Sequence, residues 1–166
     1  MLCGDDGLGV IVADRLIRDF EIHEGVRVVD GGTLGLALLP LLQEFDAAIF
    51  LDAVRSGDAP PGTLIHIDGD AVVPAVRQHL SVHQIGVADL LDAARLTGTY
   101  PSELVLLGLV PGSLDLGLGL SLPLRRNLPL FVDAVVVEIK RFGFSVHAAD
   151  QTGDPAGRPR LLDLGL

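Results

Sequence analysis

Cysteine is nearly missing from this chain: Cys3 is the one thiol in 166 residues. A single thiol cannot form an intramolecular disulfide framework, which points away from disulfide-stapled secreted scaffolds and towards a reducing compartment. Aromatic residues are scarce at 4%, with no tryptophan, so the core has to be built from Leu, Val, Ile and Ala. Positive charge is also in short supply, with 12 Lys and Arg against 22 Asp and Glu and a formal net charge of −10. Neutralising phosphates takes clustered Lys and Arg, and the basic residues here are scattered, so no nucleic-acid partner is expected. Long hydrophobic runs are lacking too. Although 49% of the residues are apolar, Asp, Arg, Pro or Gly interrupts every run, the richest being residues 104–110 and 132–137. A membrane span takes about 20 largely apolar residues in succession, so none is expected. The amino terminus, Met-Leu-Cys-Gly-Asp-Asp, has neither the basic nor the apolar region of a signal peptide. A cytoplasmic location follows as the expectation.

What is present alternates between two periodicities. Val10, Ala13, Ile17 and Phe20, with Leu16 beside them, recur at three- and four-residue steps and predict a helix over residues 8–20. The β-branched run at 26–29, closed by Asp30-Gly31-Gly32, reads as a strand ending in a tight loop. Thr33 is placed to cap a helix over 34–44, with Pro40 as a kink point. Residues 47–51 form an unbroken apolar run, the signature of a strand buried on both faces, with Asp52 at its carboxyl end. The stretch from Arg55 to Gly62 is turn chemistry, and residues 63–67 alternate as an edge strand. A polar stretch over 72–83 leads into a helix carrying Ile85, Ala88, Leu91 and Arg95. Residues 104–110 predict a second fully apolar strand, and Leu128, Val132, Val135 and Ile139 stripe a last helix over 124–142. Strands alternating with helices predict an α/β domain, a mostly parallel sheet with helices on both faces. Residues 1–144 read as that domain and 145–166 as a flexible tail, in which Leu161-Leu162 can dock locally.

Ligands of open parallel sheets bind outside the carboxyl ends of the strands. Asp30, Asp52 and the Pro111-Gly112-Ser113 turn follow strands, Asp5 and Asp6 precede the first helix, and His83 lies ahead of a later one. Two carboxylates and one imidazole from three loops, Asp6, Asp52 and His83, can converge on a divalent transition metal and leave coordination positions open. Spacing alone does not require this, because an Asp at a strand end commonly caps a helix or closes a turn. Asp5 and Asp6 also suit a helix amino terminus, where the macrodipole favours carboxylates. Gly7-Leu8-Gly9 is no phosphate loop, since the Lys-Ser/Thr is missing and two aspartates stand where an anion would bind. Cys3, Ser81 and Ser113 are nucleophile candidates with His83 as base, but no Gly-x-Ser-x-Gly elbow surrounds either serine. His23, His66, His79 and His147 read as surface histidines.

Six blocks, taken together, resemble one family in order and spacing: Asp5-Asp6-Gly7-Leu8-Gly9, Asp30-Gly31-Gly32-Thr33-Leu34-Gly35, Leu51-Asp52-Ala53, Ala59-Pro60-Pro61-Gly62-Thr63, Ser81-Val82-His83-Gln84 and Leu107-Gly108-Leu109-Val110-Pro111. The chain resembles the hydrogenase maturation proteases from Met1 to about Phe142. These endopeptidases trim the carboxyl-terminal extension from the large-subunit precursor of nickel–iron hydrogenase. The resemblance implies a three-layer, Rossmann-like domain in which Asp6, Asp52 and His83 bind metal at the cleft and carry the catalysis. It implies that the metal is nickel supplied by the precursor, so that the enzyme tests for a loaded site before cutting. Asp30, Gly31 and Thr33 would then shape the substrate contact, although Asp30 equally suits a turn residue. Cleavage could run through a metal-polarised carbonyl or metal-bound water, the favoured route, or through a carboxylate acting as general base on water. A non-catalytic nickel-sensing or chaperone-like module and an unrelated small-molecule hydrolase on the same scaffold are the alternatives. One departure stands out. The family's chain opens with a strand and a Gly-x-Gly-Asn turn, whereas here Met1 stands inside that motif, implying a truncated or late start and an empty slot beside residues 26–29.

Overall fold

A computed structural model describes residues 4–32, 34–78, 85–113 and 119–149, together with the backbone of a short strand at Leu162–Asp163. The chain enters through a 3-10 turn, Gly4–Gly7, and passes directly into helix α1, Leu8–Asp19. Leu8, Val12, Ala13 and Leu16 form its buried face, as the three- and four-residue spacing predicts. Strand β1, Phe20–Ile22, continues from the helix end, and β2, Val29–Asp30, follows. A 3-10 turn at Gly35–Leu38 then leads into the single-turn helix α2, Leu39–Leu42. The continuous helix expected over 34–44 is therefore split. Pro40 sits in the first turn of α2, where its missing N–H has no intrahelical partner to lose, and it causes no kink.

Strands β3, Ala47–Ala53, and β4, Leu64–Asp68, come next. A 3-10 turn at Gly69–Ala71 runs into helix α3, Val72–Gln78, within the stretch expected to be polar and irregular. The apolar residues at 72, 73, 75 and 76 are buried and explain the helix; Pro74 and the charged residues around them hid that pattern. Helix α4, Ile85–Thr97, strand β5, Glu103–Leu109, and helix α5, Leu122–Arg141, lie close to the expected ranges. Strands β6, Val146–Ala148, and β7, Leu162–Asp163, close the order.

The principal sheet has the order β3-β5-β4. β3 and β5 are parallel in the register Ala47↔Glu103 to Ala53↔Leu109, whereas β4 runs antiparallel to β5, Leu64↔Leu109 to Asp68↔Val105. The sheet is thus mixed rather than mostly parallel. Between β3 and β4 lie only turn residues, with no helix to return the chain to the sheet's amino end. β4 therefore starts where β3 stops and has to run back. β1 pairs antiparallel with β6, and β2 pairs parallel with β7. β6 lies beyond the boundary expected at residue 144, and Val146 is buried, so the described fold continues to Ala149. Leu162 and Asp163 pair with Val29 and Asp30 through β7, whereas Leu161, the other half of the leucine pair, lies with residues 150–160 and 164–166 outside the described residues.

Alternation along β5 sends side chains to two cores. Val105, Leu107 and Leu109 pack with α1 and α5, around the fully buried Phe131. Leu104 and Leu106 pack with α3 and α4, around Leu90, Leu91 and Ala94. Helices on both faces of the sheet give the three layers expected. Each fully buried Leu or Val contributes about 1.5–3 kcal/mol relative to exposure, which makes β5 the most strongly held strand. Helix α1 comes unusually close to β3. A Cβ at Gly9 would lie 2.5 Å from the Leu51 carbonyl oxygen, so only glycine permits this approach. No described helix is long and apolar enough to cross a membrane.

Candidate functional site

The two core strands end at different chemistry. β5 ends in the Val110-Pro111-Gly112 turn, while β3 carries Asp52 at its next-to-last position. Asp52 is half-buried and its Oδ1 accepts the N–H of Ala53 at 2.7 Å, which holds the carboxylate at the strand end. Asp30 ends β2, where its Oδ1 accepts the Gly32 N–H at 3.0 Å. This is the turn-closing role weighed for it, and it leaves the second oxygen outside that bond. Asp6 stands in the 3-10 turn ahead of α1, also half-buried.

Asp6, Asp30, Gly31 and Asp52 line one cavity of about 1220 Å³. Residues 25–32 and 46–52 form much of its wall. Among the described residues β3 has one strand partner, β5, and its other edge faces this space. Its lining draws on both cores, with Leu16 and Val135 from one face and Leu42 and Val76 from the other. The cavity therefore joins an apolar interior to three carboxylates near the carboxyl end of β3.

Thr33 and His83 lie outside the described residues, as do Cys3 and Ser81. Of the two helices that flank residues 79–84, α3 contributes Val76 and α4 contributes Val87 to the lining of the same cavity. Gly86, one residue into α4, packs against Gly35, where an added Cβ would come within 2.8 Å of the Gly35 Cα. Among the described residues, no three His, Cys, Asp or Glu side chains form a metal-binding group. Of the candidate set, the structure thus brings Asp6 and Asp52 to one cavity, with Asp30 and Gly31 beside them.

Asp5 and Asp6 both stand at the amino-terminal end of α1, as expected of helix-end carboxylates, but neither caps it: the N-cap is Gly7, with no side-chain cap bond. Asp5 is fully buried and does something else. Its Oδ2 accepts the N–H groups of Gly112 at 2.7 Å and Ser113 at 3.0 Å, and its Oδ1 accepts the Ser121 N–H at 2.6 Å. Burial alone would push this carboxyl up, but the N–H groups of Ser121, Ser113 and Gly112 together hold its pKa below the ordinary aspartate value. Sequence reasoning missed this bond set because its partners are backbone groups over a hundred residues away. The available signal was the doubled aspartate at a turn that needed only one.

Comparison with known proteins gives a consistent set of relatives. The family model described as hydrogenase maturation protease matches residues 10–138. The hydrogenase 2 maturation protease of Escherichia coli strain K12 is 31% identical over 143 residues, covering 86% of this chain and 87% of the relative. The hydrogenase expression/formation protein HupM of Azotobacter chroococcum mcd 1 is 40% identical over 169 residues, covering 99% and 79%. Among solved structures, the hydrogenase maturating endopeptidase HybD from E. coli superposes with a TM-score of 0.84 at 30% identity, covering 89% of this chain and 91% of that one.

Proposed function

The chain belongs to the hydrogenase maturation protease family and is a peptide-bond hydrolase, and from that premise we propose that it cuts the carboxyl-terminal extension from a nickel–iron hydrogenase large-subunit precursor once nickel is in place. The observation that carries this reading is that Asp6 and Asp52, far apart in sequence, line a single cavity that runs along β3. His83 is the third member of the set. Nickel arrives as part of the substrate. Two carboxylates and an imidazole supply hard and borderline ligands, and they leave coordination positions for the precursor's own donors. Three ligands of this kind hold a metal weakly without those further donors, so recognition depends on a loaded precursor.

The nickel, once seated, supplies Lewis-acid polarisation near the scissile bond. The chain's own residues do the rest. Asp52, held through its Oδ1 by the Ala53 N–H, lines the site, and Asp6 lines the same cavity from the turn ahead of α1. A carboxylate in this position also accepts a proton from attacking water, the general-base route. Asp30, Gly31 and Thr33 supply the substrate contact. The Asp30 side chain closes its own turn through Gly32, which shapes the loop that the peptide meets.

Asp6→Asn and His83→Ala test the assignment. Each keeps the fold, read by circular dichroism, and abolishes processing of a nickel-loaded precursor, read by mass spectrometry. Full processing by either variant removes that residue from the site.

A further inference from the structure

The Asp5 bond set lies beside the site but belongs to no part of the chemistry so far described. Three backbone N–H donors on one fully buried carboxylate tie the turn after β5, through Gly112 and Ser113, and the residue before α5, Ser121, to the turn that carries Asp6. Such charge-assisted bonds are roughly twice as strong as neutral ones. The Gly4–Gly7 turn leads into α1 with no side-chain cap, and Asp5 is the residue of the turn that ties it to the β5–α5 connection. Asp6 is therefore held in place in part through its neighbour.

The same bonds set a second wall. Gly112 and Ser113 line a pocket of about 310 Å³ opposite the turn after β3, whose Arg55 stands three residues beyond Asp52. Asp5 thus ties both ends of the β5–α5 connection, at Gly112-Ser113 and at Ser121, to the turn before α1.

We propose that Asp5 is a positioning residue of the cleavage site: by clamping Gly112, Ser113 and Ser121 it fixes the distance between Asp6 and Asp52 that substrate nickel has to span. This rests on the proposed function. A clamp of this kind acts on the reacting geometry more than on precursor docking, so its loss lowers kcat and leaves KM nearly unchanged.

Asp5→Asn is the first variant. It preserves shape but turns one acceptor oxygen into a donor facing backbone N–H groups, which breaks part of the set. Ser121→Pro is the second. Ser121 already has φ −60°, so proline fits there while deleting a single donor to Asp5. Both are assayed well below their unfolding temperatures, alongside the parent protein, on nickel-loaded precursor. Asp5→Asn is expected to lower kcat at least tenfold with KM changed less than threefold. Ser121→Pro is expected to produce a smaller loss of the same kind, and the double variant no more loss than Asp5→Asn alone. Hydrogen exchange on the precursor-free protein gives an independent reading. The Gly112 and Ser113 amides should exchange at least tenfold faster in Asp5→Asn, while amides in the middle of α5 stay protected. Folded variants with parental kcat, or a KM effect with unchanged kcat, overturn the assignment. Failure of the parent protein to cleave the loaded precursor counts against the proposed function instead, and unchanged exchange at Gly112 and Ser113 overturns the clamp even then. If Asp5→Asn does not fold, Ser121→Pro carries the test by the same criteria.

Discussion

Replacing Gly9 by alanine sets two physical effects against each other. On helix propensity alone the change is favourable, by at most about 1 kcal/mol, since Gly9 lies in the first turn of α1. The structure reverses the sign. The added Cβ would sit 2.5 Å from the Leu51 carbonyl oxygen and 3.4 Å from the Leu51 carbonyl carbon, and both are backbone atoms of a core strand that cannot swing aside. Overpacking of this kind costs about 1–3 kcal/mol. Taking the middle of that range, about 2 kcal/mol, and subtracting a propensity gain of at most about 1 leaves a net loss of about 1–2 kcal/mol, which corresponds to a fall in Tm of about 2–8 °C for a chain of this size. Relief of the clash also moves α1 away from β3, and with it Asp6 away from Asp52. Processing should therefore fall further than the loss of folded protein explains. Differential scanning calorimetry, followed by cleavage assays at a temperature where both proteins are fully folded, separates the two effects. A Tm equal to or above that of the parent would refute the close approach and the reasoning built on it.

Two further outcomes follow from the same structure. Asp52→Asn keeps an oxygen that can accept the Ala53 N–H but removes the charge, and should lower the cleavage rate of the folded protein by about 10²-fold or more; a rate within threefold of the parent would show that the carboxylate charge is not used. Glu138 is buried on α5, pairing with Arg141 at 2.5 Å and His66 at 3.2 Å, and it does not line the cavity of the site, so Glu138→Ala should cost about 1–3 kcal/mol in thermal unfolding while the folded enzyme cleaves at the parental rate.

Much of the architecture was legible because burial and periodicity coincide. The two apolar runs became β3 and β5, and the stripes beginning at Val10 and Leu128 became α1 and α5. The direction of β4 was not legible, because it depends on a helix-free connection rather than on any residue of the strand. α3 was hidden by a proline and by charges on a helix whose buried face is only four residues. β6 was missed because three residues paired with β1 carry no periodic signal of their own. At the site, strand-end aspartates were readable as candidates, and Asp6 and Asp52 do share a cavity. Which of the two adjacent aspartates takes a role other than helix-end carboxylate was not legible, because Asp5 is held by backbone N–H donors far away in sequence.

The central claim is that this hydrolase cuts a precursor only after nickel is in place. The direct measurement is mass spectrometry of a hydrogenase large-subunit precursor incubated with the protein, in parallel nickel-loaded and nickel-free samples. The account predicts a single cut in the loaded precursor, with release of its carboxyl-terminal peptide, and none in the nickel-free one. Equal cutting of both samples, or binding of the loaded precursor without any cut, would contradict it.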